Sequence, residues 1–366
     1  MRPYQSRPAS SFAFHEIRYR KQGRIATISI DRKEQFNCFS TLTLEEMTTA
    51  FHDITEDDAI GVAILTGTGD RAFSTGGDVQ EYQAEYVSRP RDYWKYIRRF
   101  QVLVDSILHN GKPTIARLNG IAVGGGNELQ MACDLTVMAE HAYVKQVGTH
   151  VGNVAAGGAT QWLPLLVGDK RAREILFLNR PIPARQALAW GLVNQVVPSV
   201  KKGGAFVENA SEEQIRKAVA GVGGYSIRLE LLDRAVEELA AKLLDSFPDC
   251  TRYTKEQLNF LKEFVWSSTV GHGADWLAMH FTGLEAFEGM SAFNQKRRAD
   301  YKMVRDRLAS DDSPETPCGA NIVECPACGA TGLPARFTHC GGCGAALKII
   351  SGPSRKRSEK AKLRRK

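Results

Sequence analysis

Several things are scarce in this sequence, and each shortage narrows the reading. No apolar run is long enough to span a bilayer, and the N-terminal MRPYQSRPASSFAF has two arginines with no hydrophobic segment behind them. The expectation is a cytoplasmic protein with no secretory signal and no membrane span, in a compartment that keeps thiols reduced. Cysteine is sparse through the body, where Cys38, Cys133 and Cys250 stand at no ligand-like spacing. Nothing there reads as a disulfide framework. An excess of one charge is missing too. Residues 351–366 hold eight Lys or Arg and one Glu, which accounts for the +7 of the whole chain and leaves the first 350 residues balanced at forty of each sign. Any weak attraction for polyanions therefore belongs to the tail.

What the chain does have is the alternation of an α/β protein. RIATISI (24–30), GVAILT (61–66), TIARL (114–118) and LTVMA (135–139) are short β-branched runs that read as buried strands. Between them, residues 90–108 space Trp94, Ile97, Phe100, Leu103 or Val104, and Ile107 three or four apart, an amphipathic helix entered at Pro90. Residues 168–200 read as two short helices and a strand. A Gly- and Ala-rich surface excursion follows at 201–225, and from 226 to about 306 the pattern is helical throughout.

Two glycine-rich loops, AFSTGGD (72–78) and NGIAVGGGNEL (119–129), each follow a strand, and the second opens a helix predicted from about Asn127. Glycine lets backbone approach a ligand closely, and N–H groups at a helix start attract developing negative charge. Either loop alone reads first as a tight strand-to-helix turn. Together, with ACDL behind the second, they resemble the two oxyanion-hole segments of the crotonase (enoyl-CoA hydratase/isomerase) superfamily. GGATQWLPLLVGDKRAREILFL (157–178), IPARQALAWGLVNQVVP (182–198) and EGMSAFNQKRRADYK (288–302) agree with that family in order, so the resemblance covers about residues 15–306.

The resemblance implies an α/β fold, a crotonase-like ββα spiral core with a C-terminal helical region, assembled into trimers or hexamers. It also implies a substrate carried as a coenzyme A thioester. By motif position the oxyanion donors fall on Gly77 and Gly125, and the first hydratase glutamate falls on Glu128. Lys296, Arg297 and Arg298 stand where the family places basic residues near the CoA phosphates, although a solvated helix face reads the same way. Hydratases carry a second glutamate thirteen residues before the Gln of the GGTQ-like segment. Here that position is Gly148, and no carboxylate lies between Glu140 and Asp169. Residues 147–168 resemble instead the ring-chemistry branch of the superfamily, the naphthoate synthases and more closely the 6-oxocyclohex-1-ene-1-carbonyl-CoA hydrolases. The segments 81–108 and 231–250 fit the same branch. His150 and Asp78 are the polar residues nearest the matched motifs. Each has a bland reading beside the catalytic one, a solvated loop histidine and a helix cap. The alternatives to ring opening are a hydratase or isomerase with an atypical second base, and a non-catalytic binding protein of this fold.

Past a polar linker, CPACGATGLPARFTHCGGC pairs Cys325 with Cys328 and Cys340 with Cys343, two CxxC knuckles that predict a closed, structural four-thiolate Zn²⁺ site. Cys318 is left over. The expected organisation is a flexible tail (1–14), the spiral core (15–200), the helical region (201–306), a linker (307–317), the zinc ribbon (318–350) and a disordered basic tail (351–366). The ribbon is a candidate site for a protein partner.

Overall fold

The computed structural model describes residues 6–309, 321–334 and 337–347. An antiparallel entry hairpin, β1 (Ile17–Gln22) and β2 (Ile25–Ile30), leads into α1 (Thr41–Glu56), whose start is fixed by a reciprocal capping box between Ser40 and Thr43. Three ββα repeats follow. The first is β3 (Val62–Gly67), β4 (Ala72–Ser74), a short α2 (Val79–Glu81), one π-helical turn (Tyr82–Tyr86) and α3 (Pro90–Leu108). The second is β5 (Thr114–Leu118), β6 (Ile121–Val123) and α4 (Gly125–Ala132). The third is β7 (Leu135–Ala139), β8 (Tyr143–Lys145), α5 (Ala159–Val167) and α6 (Asp169–Leu178). Then come β9 (Ile182–Pro183), α7 (Ala184–Ala189) and β10 (Gln195–Val197).

Successive strands alternate between two sheets, which makes the chain a spiral. One sheet has the order β1-β2-β3-β5-β7-β10 and the other β4-β6-β8-β9. β2 through β10 of the first sheet run parallel, as do β4, β6 and β8 of the second. β3 is buried at every position because side chains cover both of its faces, as expected of a central parallel strand. The inner face carries the main core, with Ile28, Leu65, Phe73, Leu118 and Met138 among its buried residues. On the outer face α9 (Glu230–Leu244) lays Leu232, Val236 and Ala240 against Val62, Ile64, Ile115 and Val137.

Three expected boundaries need correction. Residues 6–14 are not a loose tail, because Phe12 and Phe14 stack at 5.3 Å and pack on Tyr19, and Ser6 donates to Asp57. The stretch 200–227 is not a plain excursion before an all-helical region. It forms a three-stranded sheet of β11 (Val200–Lys202), β12 (Ala205–Phe206) and β13 (Tyr225–Ile227), closed by α8 (Glu212–Ala220). Val200, Ala210, Ala218 and Ile227 bury a small core of their own, on strands too short to show a period. Finally, the helical region does not stop at 306. After α10 (Pro248–Ser267), α11 (Val270–His280) and α12 (Leu284–Asn294), the last helix α13 runs Tyr301–Ala309 and buries Val304 and Arg307. The rest of the linker, Cys318 and the basic tail lie outside the described residues. Among the described residues no helix is long and apolar enough to cross a membrane.

Candidate active site

β4 and β6 are adjacent and parallel, pairing Ala72 with Ile121 and Ser74 with Ala122, so the two glycine loops leave the small sheet side by side. Gly76 takes φ +87°, and a Cβ there would lie 2.8 Å from the Gly125 nitrogen; the close approach of the loops requires glycine. Phe39 pairs with the first loop by donating its N–H to Gly76 O (2.8 Å) and accepting from Asp78 N (3.0 Å). Alternation along an extended strand then turns the Gly77 N–H to the opposite side. α4 begins at Gly125, two residues before the predicted Asn127, so Gly125 N–H belongs to the first helical turn and has no intrahelical acceptor. Neither N–H has an acceptor among the described residues, and both glycines are partly exposed amid buried neighbours.

Glu128 lies in that same helix, with its carboxyl buried. Its Oε1 accepts from Gly157 N (2.8 Å) and Ala159 N (3.0 Å), at the entry to α5. Burial pushes its pKa up to about 7, outweighing the two N–H donors that pull it down. Oε2 has no hydrogen-bond partner among the described residues, which leaves it the oxygen able to exchange a proton. Phe39 and Phe100, stacked at 5.1 Å, wall the site on the apolar side. A Cβ at Gly125 would meet Phe39 and one at Gly157 would meet Phe100, so these rings border both segments.

The other sequence-predicted residues are not brought to this point. Asp78 caps α2, accepting from Gln80 N and Glu81 N, and pairs with Arg32 at 2.8 Å. Although burial opposes it, the Arg32 guanidinium holds its pKa below the usual carboxylate range. These contacts are those of a helix cap. His150 is exposed on the 148–150 turn, where its carbonyl accepts from Tyr301 Oη at 3.0 Å and its ring lies 6.3 Å from that of Tyr301. Gly148 leaves no room for a carboxylate without rearrangement, since a Cβ there would lie 2.8 Å from Asn153 O. Lys296, Arg297 and Arg298 are all exposed after α12. Arg297 is held by both oxygens of Glu288, while Arg298 joins Lys302 and Arg305 along an open cleft of about 700 Å³.

Sequence reasoning missed the tyrosines. Tyr82, Tyr93 and Tyr96 are buried together with Phe281, and Tyr93 Oη meets the Asn153 side chain at 3.2–3.3 Å. A signal was present, because four of the ten tyrosines fall between residues 82 and 96.

The sequence pattern defining the enoyl-CoA hydratase/isomerase family matches residues 20–219. The chain belongs to that family. Two curated relatives are named 6-oxocyclohex-1-ene-1-carbonyl-CoA hydrolase. The one from Geobacter metallireducens is 33% identical over 346 residues, covering 88% of this chain and 89% of that protein. The one from Thauera aromatica is 33% identical over 315 residues, covering 79% and 83%. Among solved structures, an enoyl-CoA hydratase from Mycobacterium avium subsp. paratuberculosis K-10 superposes with a TM-score of 0.64 at 22% identity, over 78% of this chain and 98% of that one. An enoyl-CoA hydratase from Bacillus anthracis gives 0.57 at 28% identity, over 79% and 99%. The protein is a crotonase-family acyl-CoA enzyme with the crotonase fold.

Outside that fold, the Sγ atoms of Cys325, Cys328, Cys340 and Cys343 all lie within 4.8 Å of one another. Cys325 to Cys343 is 3.7 Å and Cys328 to Cys340 is 3.8 Å. A tetrahedron with Zn–S bonds of about 2.3 Å has edges of about 3.8 Å, so the cluster fits Zn²⁺. Each knuckle is built locally. Gly329 N donates to Cys325 O, Gly344 N to Cys340 O, and Gly342 N reaches Cys340 Sγ at 3.3 Å.

Proposed function

We propose that this crotonase-family enzyme opens the ring of a cyclic β-oxo thioester, 6-oxocyclohex-1-ene-1-carbonyl-CoA or a close analogue, by adding water. The observation that carries the reading is an asymmetry. Gly77, Gly125 and a buried Glu128 supply the groups that enolate stabilisation needs, while the position of a second hydratase glutamate is Gly148, packed against Asn153 O. Two relatives bearing that hydrolase name, at 33% identity, support the substrate.

The chemistry runs twice through one charge distribution. In the first step a water oxygen bonds to the β-carbon of the ring alkene while Glu128 Oε2 takes its proton. The alkene electrons move onto the thioester oxygen, and a proton returned to the α-carbon quenches that enolate. In the second step a water adds to the ring ketone and gives up a proton. Collapse of the adduct breaks the bond to the α-carbon, whose electron pair becomes the same thioester enolate; a proton returned to the α-carbon quenches it, and the former ketone carbon stays on the opened chain as a carboxyl group. Gly77 and Gly125 N–H donate to the enolate oxygen in both steps, each commonly worth about 3–4 kcal/mol of transition-state stabilisation.

The remaining assignments follow the same reading. Arg298, Lys302 and Arg305, with Lys296 nearby, face the CoA phosphates. Zn²⁺ holds the ribbon as a structural ion, with no coordination position left for substrate. Phe260, Leu261 and Phe264 leave an apolar stripe exposed on α10, which supports assembly into trimers or hexamers. Reduced thiolates in the ribbon fit a cytoplasmic setting.

The test is incubation with a panel of acyl-CoA esters followed by mass spectrometry. The cyclic substrate should gain two waters and crotonyl-CoA should react poorly. Efficient hydration of crotonyl-CoA would defeat ring opening and favour a hydratase with an atypical second base.

A further inference from the structure

Two buried tyrosines stand beside the first glycine loop. Tyr82 Oη and Tyr96 Oη lie 3.0 Å apart, and both side chains are buried. Two hydroxyls carry two protons, and a single contact between them uses one. Neither oxygen has another partner among the described residues, so one buried O–H is left without an acceptor, a costly arrangement unless something else supplies one.

The location of the pair says what that acceptor is. A Cβ on Gly77 would lie 1.7 Å from Tyr82 Oη and 2.9 Å from Tyr96 Oη, so both hydroxyls flank the residue whose N–H faces the reacting oxygen. Packing fixes them there. The π-helical turn carries Tyr82, α3 carries Tyr96, and their rings meet edge-on with centroids 5.1 Å apart. Burial raises both phenol pKa values above their ordinary range, so the pair stays protonated and keeps one O–H to donate.

We propose that the Tyr82–Tyr96 hydroxyl pair is a specificity-determining donor to a second acyl oxygen, the oxo group β to the thioester. The substrate class rests on the function proposed above, but the inference does not depend on the ring being opened. With the Gly77 and Gly125 N–H groups directed at the thioester oxygen, a β-oxo thioester presents its second carbonyl oxygen beside them, on the flank that the tyrosines occupy. An acyl group lacking that oxygen would seal the leftover O–H in a dry site with no partner. A site built around a hydrogen bond discriminates most strongly against ligands that lack it.

The experiment measures binding of acetoacetyl-CoA, which has a β-oxo group, and butyryl-CoA, which does not, by calorimetry. Wild type should favour acetoacetyl-CoA. In Tyr82→Phe/Tyr96→Phe that preference should fall about tenfold or more, the worth of one good hydrogen bond, with butyryl-CoA binding retained or tightened. An unchanged preference in a double variant that still binds butyryl-CoA overturns the proposal. If the double variant binds neither ligand, the single variants decide. Each must lower the preference by about threefold, a partial loss of the same bond, and an unchanged preference in both overturns it. A wild type that prefers acetoacetyl-CoA but opens no ring would refute the proposed reaction and leave this inference standing.

Discussion

The two small constellations in this chain are built in opposite ways. The site around Glu128 draws Gly77 from the loop after β4, Gly125 and Glu128 from α4, and its supporting N–H groups from the entry to α5. Only the parallel pairing of β4 with β6, inside a core spread over both sheets, brings these pieces together. The ribbon instead gathers four thiolates from one short stretch, by turns that each close within a few residues. Among the described residues its buried cluster is Cys325, Cys340 and Leu347, with Ala330, Leu333 and Ala345 partly buried against it. The contrast teaches that the first site will report any damage to the core, while the second is assembled locally, around four thiolates spaced to hold a metal ion.

The strongest expected effect separates chemistry from scaffold. Glu128→Gln keeps shape and hydrogen bonding but cannot take a proton, so turnover should fall by about 10²–10⁴ with ligand binding retained. Steady-state rates and a binding titration check both halves, and full activity would remove Glu128 from the mechanism. Next in size is Gly77→Ala. The new methyl has no place beside Tyr82 Oη, so the donor loop must shift, and activity should drop by about 10²–10³, the worth of an oxyanion donor. Wild-type rates from this variant would mean that Gly77 N–H is not a donor.

A third experiment addresses the comparison directly. Purified protein should contain one zinc for each set of four ribbon thiolates. Stripping the metal with a chelator should abolish protection of the ribbon amides in hydrogen exchange and leave the unfolding temperature of the core unchanged. A core that melts earlier without metal would show the two regions to be one cooperative unit.

The smallest effect concerns stability against pH. The folded-state pKa of Glu128 is raised, to about 7, so folding favours the neutral acid. Its contribution is present in full below the ordinary carboxylate pKa and is lost as pH rises through about 7. Glu128→Gln, neutral at every pH, should therefore gain stability over wild type at pH 8, by up to about 3 kcal/mol, and match it near pH 4. Denaturation at the two pH values tests the sign, and equal differences at both would contradict it.

Much of the core was legible because its signals are local. β5, β7 and α3 coincide with the stretches read from TIARL, LTVMA and the helical spacing after Pro90. The glycine loops stood out because close backbone approach leaves few alternatives to glycine. The small sheet at 200–227 escaped because two- and three-residue strands have no measurable period. The tyrosine cluster escaped for a different reason. Burial of a hydroxyl beside Gly77 depends on a π-helical turn and on Phe281, far along the chain, and neither is written into the local pattern. His150 was named for its position between motifs, but a turn with its own backbone bonds faces it outward.

Oε1 of Glu128 accepts from two backbone amides that belong to another segment. The carboxyl group is thus a tie between α4 and the entry to α5, and its charge sets how strongly that tie pulls. Any change in its protonation is felt at the backbone that enters α5. The amides of Gly157 and Ala159 are therefore an indicator dye built into the backbone, whose resonances follow the ionisation of a single buried acid.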